Sequence, residues 1–583
     1  MTPPHVVVGL DGADLSLIRQ FGPDKLPILH NFMTQGCSSA LRSVFPPATL
    51  PNWTTFLTGL DPAAHGVFDF TTRKGYRVRF EGGLGRTRPT ILSRLDAVGK
   101  TCCSLGFPGT YPPEKLKNGL MISGWDSPVA FEADASFVHP TSLYTTLQQR
   151  FGTMQFDDVD EFAADSPGWH DALPSALKAR IERKTELALY LMESRNWDLF
   201  AVYFGESDTA AHYLYSYSDI ESPRHPQNTT KEQNEALLSI YQALDRALGR
   251  IADAASPNTE WTIVSDHGSG GSSDKVLYLN RILAEGGFLS FGSTTGFDFR
   301  QGLVSLFGTL ISASKEVALT RLTPRMRQTL FKAWGGRLPS LLESRARFGA
   351  IDFGRTAAFS EELNYFPSIC WNIKGREPQG TVSPKDIPSL QRELACYLRE
   401  VRDPFNGQPV VKALHPREAL FDGPHLEKAP DLFVELHLDK SEDRHDAQEE
   451  TSGYSYNLMP SSTAPHGTGA FRRLAEDEYL GRKGRSLPGS HRPRGFLAMA
   501  GPSVESVGEI EAEIADATAS LLHRMGVLVP QDASGRVLWE ALTETTNNPG
   551  VQLPDAISST DAKALPNQEA IFESRLRALG YID

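Results

Sequence analysis

Three aspartates stand just beyond three short apolar runs. Asp11 follows HVVVGL (5–10) directly, Asp208 follows LFAVYF (199–204) after a Gly-Glu-Ser turn, and Asp266 follows WTIVS (261–265). Two of them have a histidine close by. Asp208 and His212 are four residues apart, so on a helix they share one face, and Asp266 is joined to His267. His491, in GSHRPRGFLAMAGP (489–502), precedes another apolar run, while His466 and His65 compete with it as further imidazoles. Carboxylate and imidazole are ligands for zinc and similar divalent cations, and a catalytic centre leaves one coordination position open. Each aspartate alone would also serve as a helix N-cap, and a single histidine is more often structural than ligating.

A reaction is suggested by FPPATLPNWTTFLTGLDPAAHG (45–66). Thr49 comes two residues before Pro51 and the helix-like NWTTFLTG, and proline is favoured in a first helical turn. The backbone N–H groups and dipole of a helix start attract anions such as phosphate. A threonine hydroxyl is a poor nucleophile until a cation makes its alkoxide accessible. Thr49 as a mere cap remains the alternative from spacing alone.

The elements that must position these groups are readable as a pattern. Continuously apolar runs, also found at 431–436 and 495–501, alternate with helical stretches such as 173–195 and 234–255. That pattern predicts an α/β core with a mostly parallel sheet covered on both faces. Ligands of such sheets bind outside the carboxyl ends of the strands, where the three aspartates stand. The main unit is expected over 1–279 and 361–545, with an excursion at about 70–170. A helical cap insertion is expected at 280–360, a polar loop at 440–455 and a C-terminal tail at 546–583. At 583 residues, more than one ordinary core is needed.

Composition narrows the class further. A net charge of -13 without a long Lys/Arg run argues against a protein that coats nucleic acid, and means that an anionic substrate needs a local cation. The five cysteines form no CxxC pair, as in a reduced intracellular protein. MTPPHVVVGLDG lacks the features of a signal peptide, and no run of 18 apolar residues suggests a membrane span, so the expected location is the cytoplasm.

VVVGLDGAD (6–14), PPATLPNWTTFLTGLDPAAHGVFDF (46–70), SDTAAH (207–212), SDHGSGG (265–271) and GSHRPRGFLAMAGP resemble the alkaline phosphatase superfamily, and within it the type I phosphodiesterase/nucleotide pyrophosphatase branch. PGTYPPEKLKNGLMISGWDSP (108–128), NIKGREPQGTV (372–382) and EALFDGPHLEKAPDLFVEL (418–436) resemble its bacterial members. The resemblance implies an alkaline-phosphatase-like core and two divalent ions, zinc first and manganese as the alternative. It implies that Asp11, Thr49, Asp266 and His267 hold one ion, and that Asp208, His212 and His491 hold the other. His491 fits better than His466 because the family's last histidine precedes a strand like GFLAMAGP. Thr49 is then the nucleophile toward a small phosphoester, forming a phosphothreonine that water hydrolyses. The glycines after His267 are expected to let the backbone turn away from the metal, and Asn52 and Arg492 are the candidate substrate contacts. HGVFDFTTR (65–73) departs from the nucleotide-cleaving relatives, having Asp69 and Phe70 where they carry a phosphoryl-binding asparagine. Activity on a phosphomonoester or phosphonate, transfer to an alcohol, and a catalytically dead binding protein are the alternatives on the same scaffold.

Overall fold

The computed structural model describes residues 4–80, 85–125, 134–152, 159, 164, 166–292, 344, 347–440, 453–465, 467–481 and 486–543. Among these residues, nine strands form the main sheet. Its order is Gly508–Glu509, Cys37–Ser39, Leu497–Ala500, Glu260–Val264, His5–Leu10, Leu199–Phe204, Cys102–Leu105, Leu120–Ile122 and Val138–His139. The five consecutive strands from Glu260–Val264 to Leu120–Ile122 are mutually parallel. Leu497–Ala500 and Val138–His139 run antiparallel to their neighbours.

His5–Leu10 lies at the centre because it is buried along its whole length and has no polar face to show solvent. Leu10 pairs with Phe204 and Gly9 with Val264, so the three central strands end level. The chain just beyond each end is therefore held at one edge of the sheet.

Two sets of helices cover the faces. Ala236–Ala254 buries Leu237, Ile240, Tyr241, Leu244, Leu248 and Ile251, a stripe at helical spacing. It packs on Trp169–Glu193 and on Glu206–Ser218. Each fully buried Leu or Ile of such a stripe contributes about 1.5–3 kcal/mol. Thr49–Thr58 packs instead with Ile91–Ala97 and Ile514–Arg524. It is buried all round from Leu50 to Thr58 and stops at the left-handed Gly59, whose N–H donates to the Thr55 carbonyl. Inside it, the Thr54 and Thr58 hydroxyls donate to the carbonyls of Leu50 and Thr54, which satisfies them without water.

A second apolar cluster lies apart from the main sheet. Leu279, Ile282, Leu283, Phe348, Phe353 and Phe359 share it with Ile369, Trp371, Leu394, Leu398, Leu432 and Val434. Its sheet has the order Ala358–Phe359, Ser368–Trp371, Leu432–Leu436, Val411–Pro416, with every pair antiparallel. The long strand Gly268–Leu277 links the two units, starting beside His267 and delivering Leu277 to the second cluster.

Some expected boundaries move. Position 360 falls inside the second cluster, because apolar residues on both sides of it pack together. Most of the expected cap, 293–343, lies outside the described residues, as do 441–452 of the polar loop, the tail at 546–583 and His466. The stretch expected as an excursion at 70–170 instead supplies three strands to the main sheet, because Cys102–Leu105, Leu120–Ile122 and Val138 are buried and pair in register. Among the described residues, no helix is long and apolar enough to cross a membrane.

The absence of a side chain at Gly9 allows the helix that starts at Thr49 to approach the central strand. A Cβ there would stand 2.8 Å from the Trp53 ring and 2.9 Å from the Phe107 ring. Gly9→Ala should therefore destabilise the protein by about 1–3 kcal/mol through overpacking. An earlier midpoint in denaturant-induced unfolding checks this.

Candidate metal centre and nucleophile

The level strand ends place the aspartates, and each is oriented by its own partners. Asp11 leaves His5–Leu10 with Oδ2 accepting from the Trp53 indole at 2.9 Å and from the Tyr203 hydroxyl at 2.6 Å. Both donors use the same oxygen, and Oδ1 is buried with no hydrogen bond. Asp266 Oδ1 accepts from the Gly12 N–H at 3.1 Å, and Oδ2 is again buried without a donor. Asp208 and His212 lie on Glu206–Ser218, which begins just past the strand Leu199–Phe204. Their expected shared face is real: His212 Nε2 stands 3.2 Å from Asp208 Oδ1.

The histidines are set by a common device. Nδ1 of His267 is 3.1 Å from the Gly268 carbonyl, Nδ1 of His212 is 3.0 Å from the Gly489 carbonyl, and Nδ1 of His491 is 2.8 Å from the Pro47 carbonyl. A carbonyl can only accept, so each Nδ1 carries the proton and each Nε2 presents a lone pair. Those lone pairs converge. His212 Nε2 and His491 Nε2 are 3.1 Å apart, and His491 Nε2 is 3.5 Å from Asp208 Oδ1. His267 Nε2 is 3.3 Å from Asp266 Oδ2 and 3.5 Å from Asp11 Oδ1.

Ligand atoms of Asp11, Asp266 and His267 lie within 4.8 Å of one another, as do those of Asp208, His267 and His491. Acceptors this close, buried in the Asp11 set and partly buried in the Asp208 set, repel one another unless a cation sits among them. The residues present fit two adjacent divalent ions.

Thr49 opens its helix after the extended Ala48, as expected. Its Oγ1 stands 3.4 Å from His267 Nε2, at the edge of the Asp11 set. The N–H groups of Thr49 and Leu50 begin the helix, and Pro51 has none to offer.

Electrostatics agree with this arrangement. Burial, and then the nearby Asp208 charge, push the Asp11 carboxyl up to about 7. Burial and Asp11 raise Asp266 well above the usual range. Burial lowers His267 to about 4 and His491 well below its ordinary value. Both imidazoles are therefore neutral near pH 7, the form that binds a cation.

Two expected substrate contacts do not face the centre. Asn52 is fully buried; its Oδ1 accepts from the Val44 N–H at 2.7 Å, and its Nδ2 donates to the carbonyls of Pro46 and Ala48. It braces the loop before Thr49. Arg492 is buried too and donates to Ser455 Oγ and to the carbonyls of Gly271 and Gly453. Adjacent residues on a strand point to opposite faces, so aiming His491 at the centre turns Arg492 away from it. The competing His65 is internal, with Nε2 3.1 Å from the Thr55 hydroxyl and Nδ1 accepting from the Val67 N–H.

The glycines after His267 do not form a turn. They lie in Gly268–Leu277, which pairs antiparallel with Gly489–Arg492 so that Ser269 faces His491. A Cβ at Gly268 would stand 2.0 Å from the Arg494 carbonyl oxygen, and one at Gly270 would stand 2.5 Å from Arg492 Nε. Their role is close packing of the strand that carries His491.

Trp53, Tyr203 and Tyr365 escaped the sequence reading. Trp53 follows Thr49 by four residues and so shares its helix face, a signal that was present. Tyr203 carries the weaker signal of lying in the strand next to Asp11. Tyr203→Phe removes one of the two donors that orient Asp11. It should weaken cation binding by the Asp11 set by about tenfold or more, as read by chelator competition; an unchanged affinity would mean that Trp53 alone suffices.

Comparison with known proteins places this centre in a family. The family model described as type I phosphodiesterase / nucleotide pyrophosphatase matches residues 5–454, a span that includes Asp11, Thr49, Asp208, His212, Asp266 and His267. No curated protein matches the chain. Among solved structures, murine ectonucleotide pyrophosphatase/phosphodiesterase 5 is similar at 12% identity, with 93% of this chain and 100% of that chain covered and a TM-score of 0.43. An inactive variant of the same murine protein in complex with AMP gives 11% identity, the same coverages and a TM-score of 0.44. The human protein gives 11% identity, the same coverages and a TM-score of 0.43. Since the family match spans most of the sequence, the chain belongs to the type I phosphodiesterase / nucleotide pyrophosphatase family and is a metal-dependent hydrolase of phosphoesters.

Proposed function

We propose that the chain is a phosphodiesterase that uses two divalent cations, zinc by preference or manganese, and passes through a phosphothreonine at residue 49. The observation that carries this reading is the meeting of a helix-opening hydroxyl with two ligand sets, Thr49 Oγ1 being 3.4 Å from His267 Nε2. Asp11, Thr49, Asp266 and His267 would hold one cation, and Asp208, His212 and His491 the other. When bound, the cations supply the positive charge that neutralises phosphoester oxygens and lowers the pKa of the attacking hydroxyl.

The chain's own residues account for the rest. The first-turn N–H groups and the helix dipole hold the phosphoryl oxygens beside Thr49. The hydroxyl gives its proton to solvent as Oγ attacks phosphorus in line with the leaving oxygen, which is protonated by solvent as it departs. The Oγ–P bond forms, and the leaving oxygen departs with the electron pair of the broken P–O bond. Water then opens the Oγ–P bond and frees Thr49. Trp53 and Tyr203 hold Asp11, and three backbone carbonyls hold the imidazoles, so little reorganisation is needed during the reaction.

Small phosphodiesters are the proposed substrates. The stretch in which the nucleotide-cleaving relatives carry their asparagine has Asp69 and Phe70 here, and Asp69 accepts from the Thr71 hydroxyl at 2.8 Å. Neither side chain has the amide N–H donors of an asparagine, so nucleotides and lipid head-group diesters are tested side by side. The proposed location is the cytoplasm, supported by five cysteines of which none is in a disulfide.

In the zinc- or manganese-loaded protein, bis-(p-nitrophenyl) phosphate should be cleaved faster than p-nitrophenyl phosphate. Thr49→Ala should lose at least about 10³-fold in turnover while still binding metal. A preference for the monoester would make the protein a phosphatase, and silence on both substrates with metal bound would favour a binding role. Stripping the metal should also leave the buried carboxylates unneutralised. Zinc added back at about 100 times its dissociation constant should restore roughly 2.7 kcal/mol of stability, read as a rise in the thermal midpoint.

A further inference from the structure

Tyr365 belongs to neither ligand set, yet it touches two of the three imidazoles. Its ring stacks on His491 with centroids 3.9 Å and planes 5° apart, and its hydroxyl lies 3.3 Å from His212 Nδ1. It reaches them on the segment 361–367, between two strands of the second unit.

The flanking residues form a frame for it. Glu361 accepts from Arg347 at 2.9 Å and faces Arg73 at 3.4 Å. Glu362 holds a left-handed φ of 54°, a conformation that costs a non-glycine residue about 1–3 kcal/mol and persists only where its surroundings enforce it. Here the buried carboxylate does so, accepting from the Asn280 N–H at 2.9 Å and the Ser461 hydroxyl at 2.7 Å. Asn364 Oδ1 accepts from the Leu458 N–H at 2.9 Å.

The stacked ring adds something that the ligands' own hydrogen bonds cannot supply. His491 is tethered through its Cβ, its Nδ1 is bonded to the Pro47 carbonyl, and the His267 ring stacks on it with centroids 3.7 Å and planes 19° apart. The Tyr365 ring adds a second flat contact that limits tilting of the imidazole and so narrows where the Nε2 lone pair points.

We propose that Tyr365 is a positioning residue for His491, through which the second unit sets how tightly the Asp208 set grips its cation. The assignment rests on the two-cation reading above.

The test is a Co²⁺ titration of the metal-free full-length chain, following stoichiometry, affinity by chelator competition, and the visible absorption of the bound ion. The wild type should take two ions. Tyr365→Leu should bind one with unchanged affinity and the other about 10–100-fold more weakly, with an altered visible spectrum. Tyr365→Phe keeps the stacked ring and should restore both the affinity and the spectrum. Near-UV circular dichroism of both variants confirms that they are folded.

Two ions held with wild-type affinity and spectrum in Tyr365→Leu would overturn the proposal. So would an equal weakening of both ions, or a Phe variant as impaired as the Leu variant. A wild-type chain that binds fewer than two ions would instead overturn the two-cation reading, and this assignment with it.

Discussion

Crowded acceptors are the constraint on which the rest of the structure depends. Three carboxylates and three imidazole nitrogens point lone pairs into one small volume, with separations as short as 3.1 Å. Nothing in the ordinary economy of a protein interior favours this, because each group would be better solvated apart. The fold holds them together from outside. Level parallel strands bring the aspartates to one edge, an indole and a phenol hold one oxygen of Asp11, and backbone carbonyls accept from Nδ1 of His212, His267 and His491. The cost of keeping these groups unneutralised becomes affinity for positive charge. A chain of net charge -13 thereby builds a place where bound cations can attract an anionic phosphoester.

Much of this was legible because chemistry and periodicity coincide. Asp11, Asp208 and Asp266 stand out because each ends an apolar run, and parallel strands put such ends together. His212 is readable from its spacing to Asp208, and Thr49 from the proline that follows it. Asn52 and Arg492 were misread for a shared reason: an amide or guanidinium that braces backbone carbonyls looks, in sequence, the same as one that grips a phosphate. The glycines after His267 were likewise ambiguous between a turn and close strand packing. The choice depended on Arg494, which lies 226 residues beyond Gly268 and has no local signature.

The second unit was the hardest part to see. Of its four strands, Leu432–Leu436 falls in an apolar run legible in the sequence, but Ala358–Phe359 has two residues and Ser368–Trp371 four, too few for alternation to register. Its core joins Leu279 and Ile282 to Trp371 and Leu432 across a long intervening stretch. Tyr365 sits between its strands, and its stacking on His491 could not be read from spacing.

The pairing of Gly268–Leu277 with Gly489–Arg492 also imposes an order on biosynthesis. His491 is 279 residues downstream of His212, and ribosomes add about 5–20 residues per second. For about 14–56 seconds, therefore, the nascent protein carries Asp208, His212 and most of the main sheet without the strand that brings the last imidazole. Asp11, Asp266 and His267 are all synthesised by residue 267 and can crowd at once, whereas the Asp208 set stays one imidazole short until that strand arrives, after most of the second unit has been synthesised.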